Sequence, residues 1–242
     1  MIPDALIGGG LEGLYCSPAP DPGAIWANWN LDPLLLAAMA VLALVLGRSR
    51  PGAAAVAVLL VAFVSPLCAL SAALFSARVV HHLLLVAVAA PLIALAWPAR
   101  TPRGATGLFL VATAVLWAWH LPQAYDAAMA NKGLYWVMQA TLLGSAVAFW
   151  RAVLASDQPT GQAGLAILGA YMQMGLLGAL LTFAPDPLYA IHQQAPLAWG
   201  FTPLSDQQLG GIIMWVPAAV PYAAFGALVA LRGWRRLQAL PT

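Results

Sequence analysis

Charged residues are scarce in this sequence: only 7% of its 242 residues are Asp, Glu, Lys or Arg, whereas 62% are hydrophobic. A soluble globular domain carries about 25% charged residues. So few charges cannot cover a surface that faces water, and the composition therefore predicts a polytopic membrane protein embedded in a lipid bilayer. The basic residues form no tract suited to binding nucleic acid, so that class of partner is excluded.

Cysteine is also rare, since the chain contains only Cys16 and Cys68. These two side chains can form a disulfide or offer two thiolates to a metal ion, and the sequence leaves both possibilities open. The N-terminus has no basic region followed directly by an apolar core, so no cleaved signal peptide is predicted. The last apolar run, 209–231, lacks the lysine that a retinal Schiff base needs, which excludes a retinal receptor.

Long apolar runs are what the sequence does contain. A membrane-spanning helix needs about 20 apolar residues, whereas the strands of a membrane barrel would alternate apolar and polar residues. The runs here are unbroken, so we predict an all-α membrane protein, a seven-transmembrane helix bundle. Its spans are expected at roughly 31–47, 53–74, 79–97, 105–121, 134–154, 163–184 and 209–231.

The basic residues predict how this bundle is oriented. Eight of the ten Lys and Arg residues follow the first, third, fifth and seventh spans, and only Arg78 and Lys132 lie on the other side. Because basic residues concentrate in cytoplasmic loops, the N-terminus is predicted outside and the C-terminus in the cytoplasm. The chain then divides into an extracytoplasmic segment 1–30, the bundle 31–232 and a cytoplasmic tail 233–242.

Most side chains able to bind a soft metal ion fall on the predicted outer side. Imidazole, thiolate and thioether groups together suit copper, above all Cu(I), and zinc also accepts His and Cys. A hard cation would need clustered carboxylates, but those on the outer side are scattered among loops. The candidate metal ligands on this side are His81, His82, His120, His192, Cys16, Cys68 and Met214.

Each of these side chains also has a structural interpretation. A histidine at the end of a span can lie among lipid headgroups, and Arg78 can snorkel to the same region. His192, in the outer loop 185–208, is expected to be solvated, and methionines more often pack than bind metals. The same loop and the segment 1–30 are predicted to close over a cup at the outer face. Within it, residues 205–208 (Ser-Asp-Gln-Gln) predict a helix start, with Ser205 or Asp206 as the N-cap.

Several short motifs are spread over nearly the whole chain. The most specific is Asp206-Gln207-Gln208-Leu209-Gly210-Gly211-Ile212-Ile213-Met214-Trp215, and others are Trp29-Asn30-Leu31-Asp32-Pro33, Arg78-Val79-Val80-His81-His82, Trp119-His120-Leu121-Pro122 and Pro187-Leu188-Tyr189. In these motifs the chain resembles the CtaG family of multi-span cytochrome c oxidase assembly proteins, of the seven-span kind.

The resemblance implies a metallochaperone of the respiratory chain in the bacterial cytoplasmic (inner) membrane, a multi-pass protein that is not an enzyme. It would bind Cu(I) at its outer face and help insert copper into a haem–copper oxidase subunit. A periplasmic copper chaperone and a second copy of the chain are further candidate partners. Many relatives carry H-x-x-x-H where this chain has Arg78 and His82, and a histidine where it has Met138-Gln139, which makes Met138 a candidate ligand.

His82 and His120 are the first predicted ligands, and the others in order are His81, Cys68, Cys16, Met214, Met138 and His192. Three other functions remain open at this point. One is a metal-free scaffold for oxidase assembly, and another is a copper or haem transporter. The third is an intramembrane zinc hydrolase that uses the histidines with Ser65 or Ser71 and with Asp126, in which zinc would activate a water molecule.

Overall fold

The computed structural model describes residues 15–16, 19–99 and 104–239, and within them the protein is all-helical, with no strand. The helical class is therefore confirmed. The basic residues Arg100 and Arg103 and part of the segment 1–30 lie outside the described residues. The helices are α1 (Pro33–Leu46), α2 (Arg50–Phe63), α3 (Leu67–Ala73), α4 (Phe75–Ala96), α5 (Ala105–Ala118), α6 (Pro122–Ala130), α7 (Lys132–Val153), α8 (Thr160–Phe183), α9 (Pro203–Trp215) and α10 (Ala219–Gln238).

Three helices are long and apolar enough to cross a membrane: α4, α8 and the combined helix α9–α10, Pro203–Gln238. The bent pairs α2–α3 and α5–α6 also pass that test, which raises the number to five in the described part of the chain. Helix α1 has only 14 residues, and α7 is not among the candidates. Each of the seven predicted spans coincides with a helix or bent helix pair, but the number of spans and their orientation stay predictions. Helix α10 continues into the predicted tail, as far as Gln238.

Helix α4 lies at the centre of the bundle, where it contacts α2, α3, α7 and α9. In its most apolar stretch 61% of the residues are buried within the protein, compared with 33% in α8 and 22% in α9–α10. Polar side chains within a membrane are tolerated where they face the bundle interior. The helix that carries Arg78, His81 and His82 is thus the best shielded of these three.

Prolines break or distort three helices. The axis bends by 44° between α2 and α3, at Pro66, and by 75° between α5 and α6, at Pro122. Proline has no N–H to donate and its ring clashes with the preceding turn. Within α4, residues Leu84–Ala89 are π-helical just before Pro91, and the carbonyl of Val86 accepts a hydrogen bond from Trp150 Nε1 at 2.9 Å. The indole thus replaces the N–H that Pro91 lacks.

Helix α9 fits between α8 and α4 because it presents two glycines. A Cβ atom on Gly211 would lie 2.6 Å from the carbonyl oxygen of Gly178, and one on Gly210 would lie 2.7 Å from the ring of Phe75. Small residues of this kind let helix backbones approach closely. The Gly-Gly pair of the most specific motif therefore sets the packing of α9.

The start of α9 differs from the sequence prediction. The helix begins at Pro203 with Thr202 as N-cap, so an N-cap at Ser205 or Asp206 is wrong. Asp206 is instead fully buried and accepts hydrogen bonds from the backbone N–H groups of Phe75 at 2.6 Å and Ser76 at 3.2 Å. It caps α4 rather than its own helix, a contact that a local motif cannot reveal.

Candidate functional site

One pocket brings together three of the predicted ligands. His82 comes from α4, His120 from the turn between α5 and α6, and Met138 from α7. The imidazole rings of His82 and His120 have centroids 5.3 Å apart and are nearly perpendicular, at 85°. We call this cavity the histidine pocket; its other lining residues are Phe75, Arg78, Val79, Trp119, Tyr125 and Leu142.

The break at Pro122 positions His120. The chain leaves helix α5 just before this histidine, and its Nδ1 donates to the carbonyl of Leu116 at 2.7 Å. The backbone carbonyl of His120 accepts a hydrogen bond from the hydroxyl of Tyr189 at 3.0 Å. Because a proton on Nδ1 leaves a lone pair on Nε2, the second ring nitrogen is the one that can bind a metal ion.

His82 is buried, and its Nε2 has no hydrogen-bond partner among the described residues. It lies one helical turn after Arg78, so both side chains project from the same face of α4. Buried polar atoms are nearly always satisfied, so an unpartnered ring nitrogen that lines a pocket is a candidate ligand-binding atom. His82 and His120 thus present two imidazoles to one cavity.

His81 points away from the histidine pocket. Its ring packs edge-on against Phe63, with centroids 5.0 Å apart, and neither ring nitrogen has a partner in the described part of the chain. Adjacent helix positions differ by about 100°, which separates His81 from its neighbour. The structure does not bring this predicted ligand together with the first two.

Arg78 is buried in the wall of the pocket. With the amide of Gln139 oriented so that its oxygen faces the guanidinium, this oxygen accepts from Nη1 at 3.0 Å and from the hydroxyl of Tyr135 at 3.3 Å. The guanidinium also lies 3.7 Å from Met138 Sδ and 5.2 Å from the centre of the Tyr135 ring. Sequence reasoning missed Tyr135 and Gln139; their i, i+4 spacing on α7 was the available signal.

Cys16 and Cys68 form a disulfide, with Cα atoms 5.3 Å apart. Neither lines the histidine pocket, and a disulfide offers no thiolate to a metal ion. Cys16 Sγ lies 3.7 Å from the hydroxyl of Tyr135, and Tyr15 donates to Asp32 at 2.9 Å. In this oxidised form the pair holds residues 15–16 against the bundle; metal binding by the reduced cysteines stays a prediction.

His192 is buried rather than solvated, which corrects the structural interpretation given to it above. Its Nε2 is 2.7 Å from the hydroxyl of Tyr125 and its Nδ1 is 3.4 Å from the carbonyl oxygen of Ala73. Burial, aided by the charge of Arg78, lowers the pKa of His192 to about 4, although the contact with Ala73 opposes the shift. Both ring nitrogens are engaged with protein atoms, so the residue fixes its loop in place.

Met214 is fully buried in α9 but does not line the histidine pocket. Helix α9 itself packs against α8 and α4. Within the residues that the structure describes, no group of three or more His, Cys, Asp or Glu side chains is close enough to hold a metal ion. Among the residues that line the pocket, the groups able to bind a soft metal ion are two imidazoles and the thioether of Met138.

Several polar side chains hold the outer loop onto the bundle. Asp126 accepts from the backbone N–H groups of Ala190 at 3.1 Å and Ile191 at 3.3 Å, and Gln207 accepts from that of Leu188 at 2.7 Å. Tyr189 is buried, which raises the pKa of its phenol, with the charge of Asp126 acting in the same direction. These contacts fix the loop over the turn that carries His120.

The loop also contacts the N-terminal region, because the indole of Trp199 donates to the carbonyl of Pro20 at 3.1 Å. Both outer segments therefore meet at the end of the bundle that holds the histidine pocket.

The fold and pocket place the protein among all-helical proteins whose helices are apolar enough to cross a membrane. The sequence model of the cytochrome c oxidase caa3 assembly factors, Caa3_CtaG, matches residues 46–108 and 105–236, and the chain belongs to this family. The resemblance seen in the motifs is thereby confirmed. No curated protein and no solved structure gives a match. The matched ranges contain all three donors of the histidine pocket but not Cys16.

Proposed function

We propose that this protein binds Cu(I) in the histidine pocket and delivers it to a subunit of cytochrome c oxidase during assembly, without catalysing a reaction. Membership of the assembly-factor family supports the oxidase as partner. The observation that carries the copper assignment is the meeting of His82 and His120, whose ring centroids are 5.3 Å apart. That distance is within reach of two imidazole–metal bonds of about 2 Å each.

The donor set suits Cu(I) better than zinc. Structural zinc sites are closed by four ligands, and hydrolytic zinc sites use three protein ligands. The pocket offers two imidazoles and the soft thioether of Met138, with no carboxylate in its lining. Soft ligands of this kind favour Cu(I). A site with few ligands also lets copper leave by exchange with donors of the receiving subunit.

The hydrolase alternative finds less support. Ser65 bonds to the carbonyl of Val61, Ser71 to that of Cys68, and Asp126 to the outer loop. None of the three lines the histidine pocket. A metal-free scaffold has a specific observation in its favour, because Asp126 and the motif residues Gln207 and Tyr189 serve to fix the loop. Copper analysis of the purified protein distinguishes a copper donor from a metal-free scaffold.

The proposed setting is the bacterial cytoplasmic membrane, with the pocket end of the bundle facing outside. In that orientation copper would arrive from a periplasmic copper chaperone and pass to the oxidase subunit on the same side. A pair of chains is a further arrangement that this function allows. The transporter alternative would need ligands that continue towards the cytoplasm. Of the two methionines of α8 that could serve, Met174 is buried, but Met172 is 59% exposed on the bundle surface.

The experiment is copper analysis of the protein purified in mild detergent under reducing conditions, with Cu(I) offered and the excess removed by a moderate chelator. We expect about one copper per chain, with retention lost in the double variant His82→Gln, His120→Gln. The same variant should lower the activity and copper content of the oxidase in cells, at unchanged protein level.

His81→Gln is the matched control, since this neighbouring histidine is equally buried but faces Phe63. It should retain copper like the wild type. Equal copper in the double variant and the wild type would contradict the assignment. A folded protein that retains no copper would favour the scaffold, and retained zinc with amidase activity would favour the hydrolase.

A further inference from the structure

The histidine pocket carries a positive charge that no described residue balances. The Arg78 side chain is 4% exposed, and its hydrogen bonds go to the amide oxygen of Gln139 and the thioether of Met138, which are both neutral. Among the residues that the structure describes, no carboxylate oxygen lies within 4.0 Å of the guanidinium. A guanidinium does not lose its proton in proteins, so the charge persists.

The one buried carboxylate near the start of α4 is used elsewhere. Asp206 accepts from the backbone N–H groups of Phe75 and Ser76 and from the hydroxyl of Ser76. Its carboxylate thus interacts with the N-terminal end of α4. Buried charges in proteins are normally paired, and an unpaired one within the span of a membrane protein marks a functional site.

A second observation points to the same cavity. His82 lines the pocket beside Arg78, and its buried Nε2 has no hydrogen-bond partner in the described part of the chain. The wall thus combines a fixed cation with an unused imidazole nitrogen and contains no acidic side chain. Such a surface attracts an anion.

The size and lining of the pocket restrict which anion fits. Its volume is about 20 Å³, which is room for little more than one water molecule, so only a single small ion or atom fits inside. Phe75, Val79 and Leu142 supply apolar walls. Apolar walls cannot replace the water around a strongly hydrated ion such as phosphate, so a weakly hydrated ion is favoured.

We propose that the histidine pocket binds a soft monovalent anion, a halide or a thiolate, against the guanidinium of Arg78. The anion also explains how copper can enter beside a fixed cation: Cu(I) at His82 and His120 takes the anion as a further ligand, and the pair enters as a neutral unit. The statement about copper rests on the function proposed above, whereas the anion site does not.

The test uses bromide as the probe. Copper-free wild-type protein is titrated with potassium bromide, with potassium gluconate keeping the ionic strength constant, and binding is followed by the broadening of the bromine-81 NMR line. We expect saturable broadening in the wild type and at least tenfold weaker binding in Arg78→Gln. Lys132→Gln is the control, because this cation lies outside the pocket, against the ring of Tyr15.

A second measurement on the wild type does not depend on the folding of any variant. In protein loaded with Cu(I) and bromide, X-ray absorption at the bromine edge should show a copper neighbour. Competition with bromide by N-acetylcysteine amide at alkaline pH would identify a thiolate as a source of the anion. If this thiolate does not compete, a free halide is the natural anion. Either result supports the site.

The outcomes separate the two proposals. Copper retained without saturable bromide binding overturns the anion site and leaves the copper function standing. Bromide binding that depends on Arg78 in a protein that never retains copper supports the anion site and overturns the copper function. Equal bromide binding in wild type and Arg78→Gln overturns the anion site.

Discussion

At the scale of single residues, the histidines differ in what their ring nitrogens contact. His192 uses both nitrogens for contacts with Tyr125 and Ala73, whereas His81 uses neither and packs against Phe63. His82 and His120 each leave a nitrogen available at one cavity. The chemical role of each histidine follows from what its ring contacts. Of the four, only His82 and His120 have a free ring nitrogen and also line the same pocket.

The contacts of His192 predict that the outer loop opens in acid. Burial lowers the pKa of His192 to about 4, against a usual value of about 6.5. Between these values the open loop takes up a proton that the closed loop does not. The stabilisation is therefore complete above pH 6.5 and is lost as the pH falls towards 4, by up to about 3 kcal/mol. Hydrogen exchange of residues 185–202, corrected for intrinsic rates, should show on the order of tenfold more opening at pH 5 than at pH 7.5.

His192→Gln provides the comparison for this pH dependence, because glutamine can hydrogen-bond but does not titrate in this range. The variant should open more at neutral pH and show little further change in acid. The same pH dependence in the variant and the wild type would assign it to another group.

At the scale of helices, packing depends on close backbone contacts. Helix α9 crosses α8 where Gly178 and Gly211 face each other, and Asp206 of α9 caps α4. One helix therefore fixes two neighbours, and α4 in turn carries Arg78 and His82 to the pocket. A change in how α9 packs is therefore expected to shift α4 and so alter the histidine pocket.

Gly211→Ala should destabilise the protein. The added methyl group would lie 2.6 Å from the carbonyl oxygen of Gly178, and overpacking of this kind costs about 1–3 kcal/mol. Gly226→Ala in α10 is the matched control, since a Cβ atom there meets nothing within 4 Å. That change should be neutral or stabilising, because alanine has the higher helix propensity. Thermal unfolding in detergent gives both values; equal melting temperatures would show that the crossing tolerates a methyl group.

The disulfide joins residues separated by 52 positions and ties residues 15–16 to the start of α3. Removing it with Cys16→Ser and Cys68→Ser should lower stability by about 2–4 kcal/mol, since the unfolded chain gains freedom. Copper retention should not change, because neither cysteine lines the histidine pocket. The unfolding midpoint and the copper content of the double variant test both statements. Loss of copper from a folded double variant would make the cysteines ligands after all.

The sequence predicts features that depend on neighbouring residues, and it does not predict contacts between positions far apart along the chain. Apolar length is a local property, and it located every α-helix of the described residues except α6, which lies between two predicted spans. Residue chemistry alone selected His82 and His120 as the first ligands. The pairing of Cys16 with Cys68 and the capping of α4 by Asp206 join distant positions. Such contacts depend on how the helices pack, which a single sequence does not encode locally.

At the scale of the whole molecule, the open question is how many times the chain crosses the membrane. Five spans are counted without α1 and α7, and seven require both. Neither of these helices meets the test of length and hydropathy by itself. Helix α7 has 22 residues, long enough to cross about 30 Å at 1.5 Å per residue. It packs against α4 and α5, so its polar residues can face the bundle interior. We therefore expect it to span.

Labelling of single cysteines in intact cells tests this topology. In the background of the two serine substitutions, Ala130→Cys and Asp157→Cys lie at exposed positions on either side of α7. With seven spans and the N-terminus outside, a maleimide reagent that cannot cross the membrane should label position 130 and spare position 157. Asp21→Cys and Arg48→Cys form the equivalent pair for α1, and only position 21 should react.

Permeabilised cells supply the control, since every one of these positions should then be labelled. Labelling of 130 and 157 on the same side would remove α7 from the spans and leave an even number. The C-terminus would then lie on the same side as the N-terminus, and the eight basic residues that predict the orientation would be divided between the two faces. Because that division contradicts the usual cytoplasmic excess of Lys and Arg, the seven-span arrangement is the one that reconciles charge with helix positions.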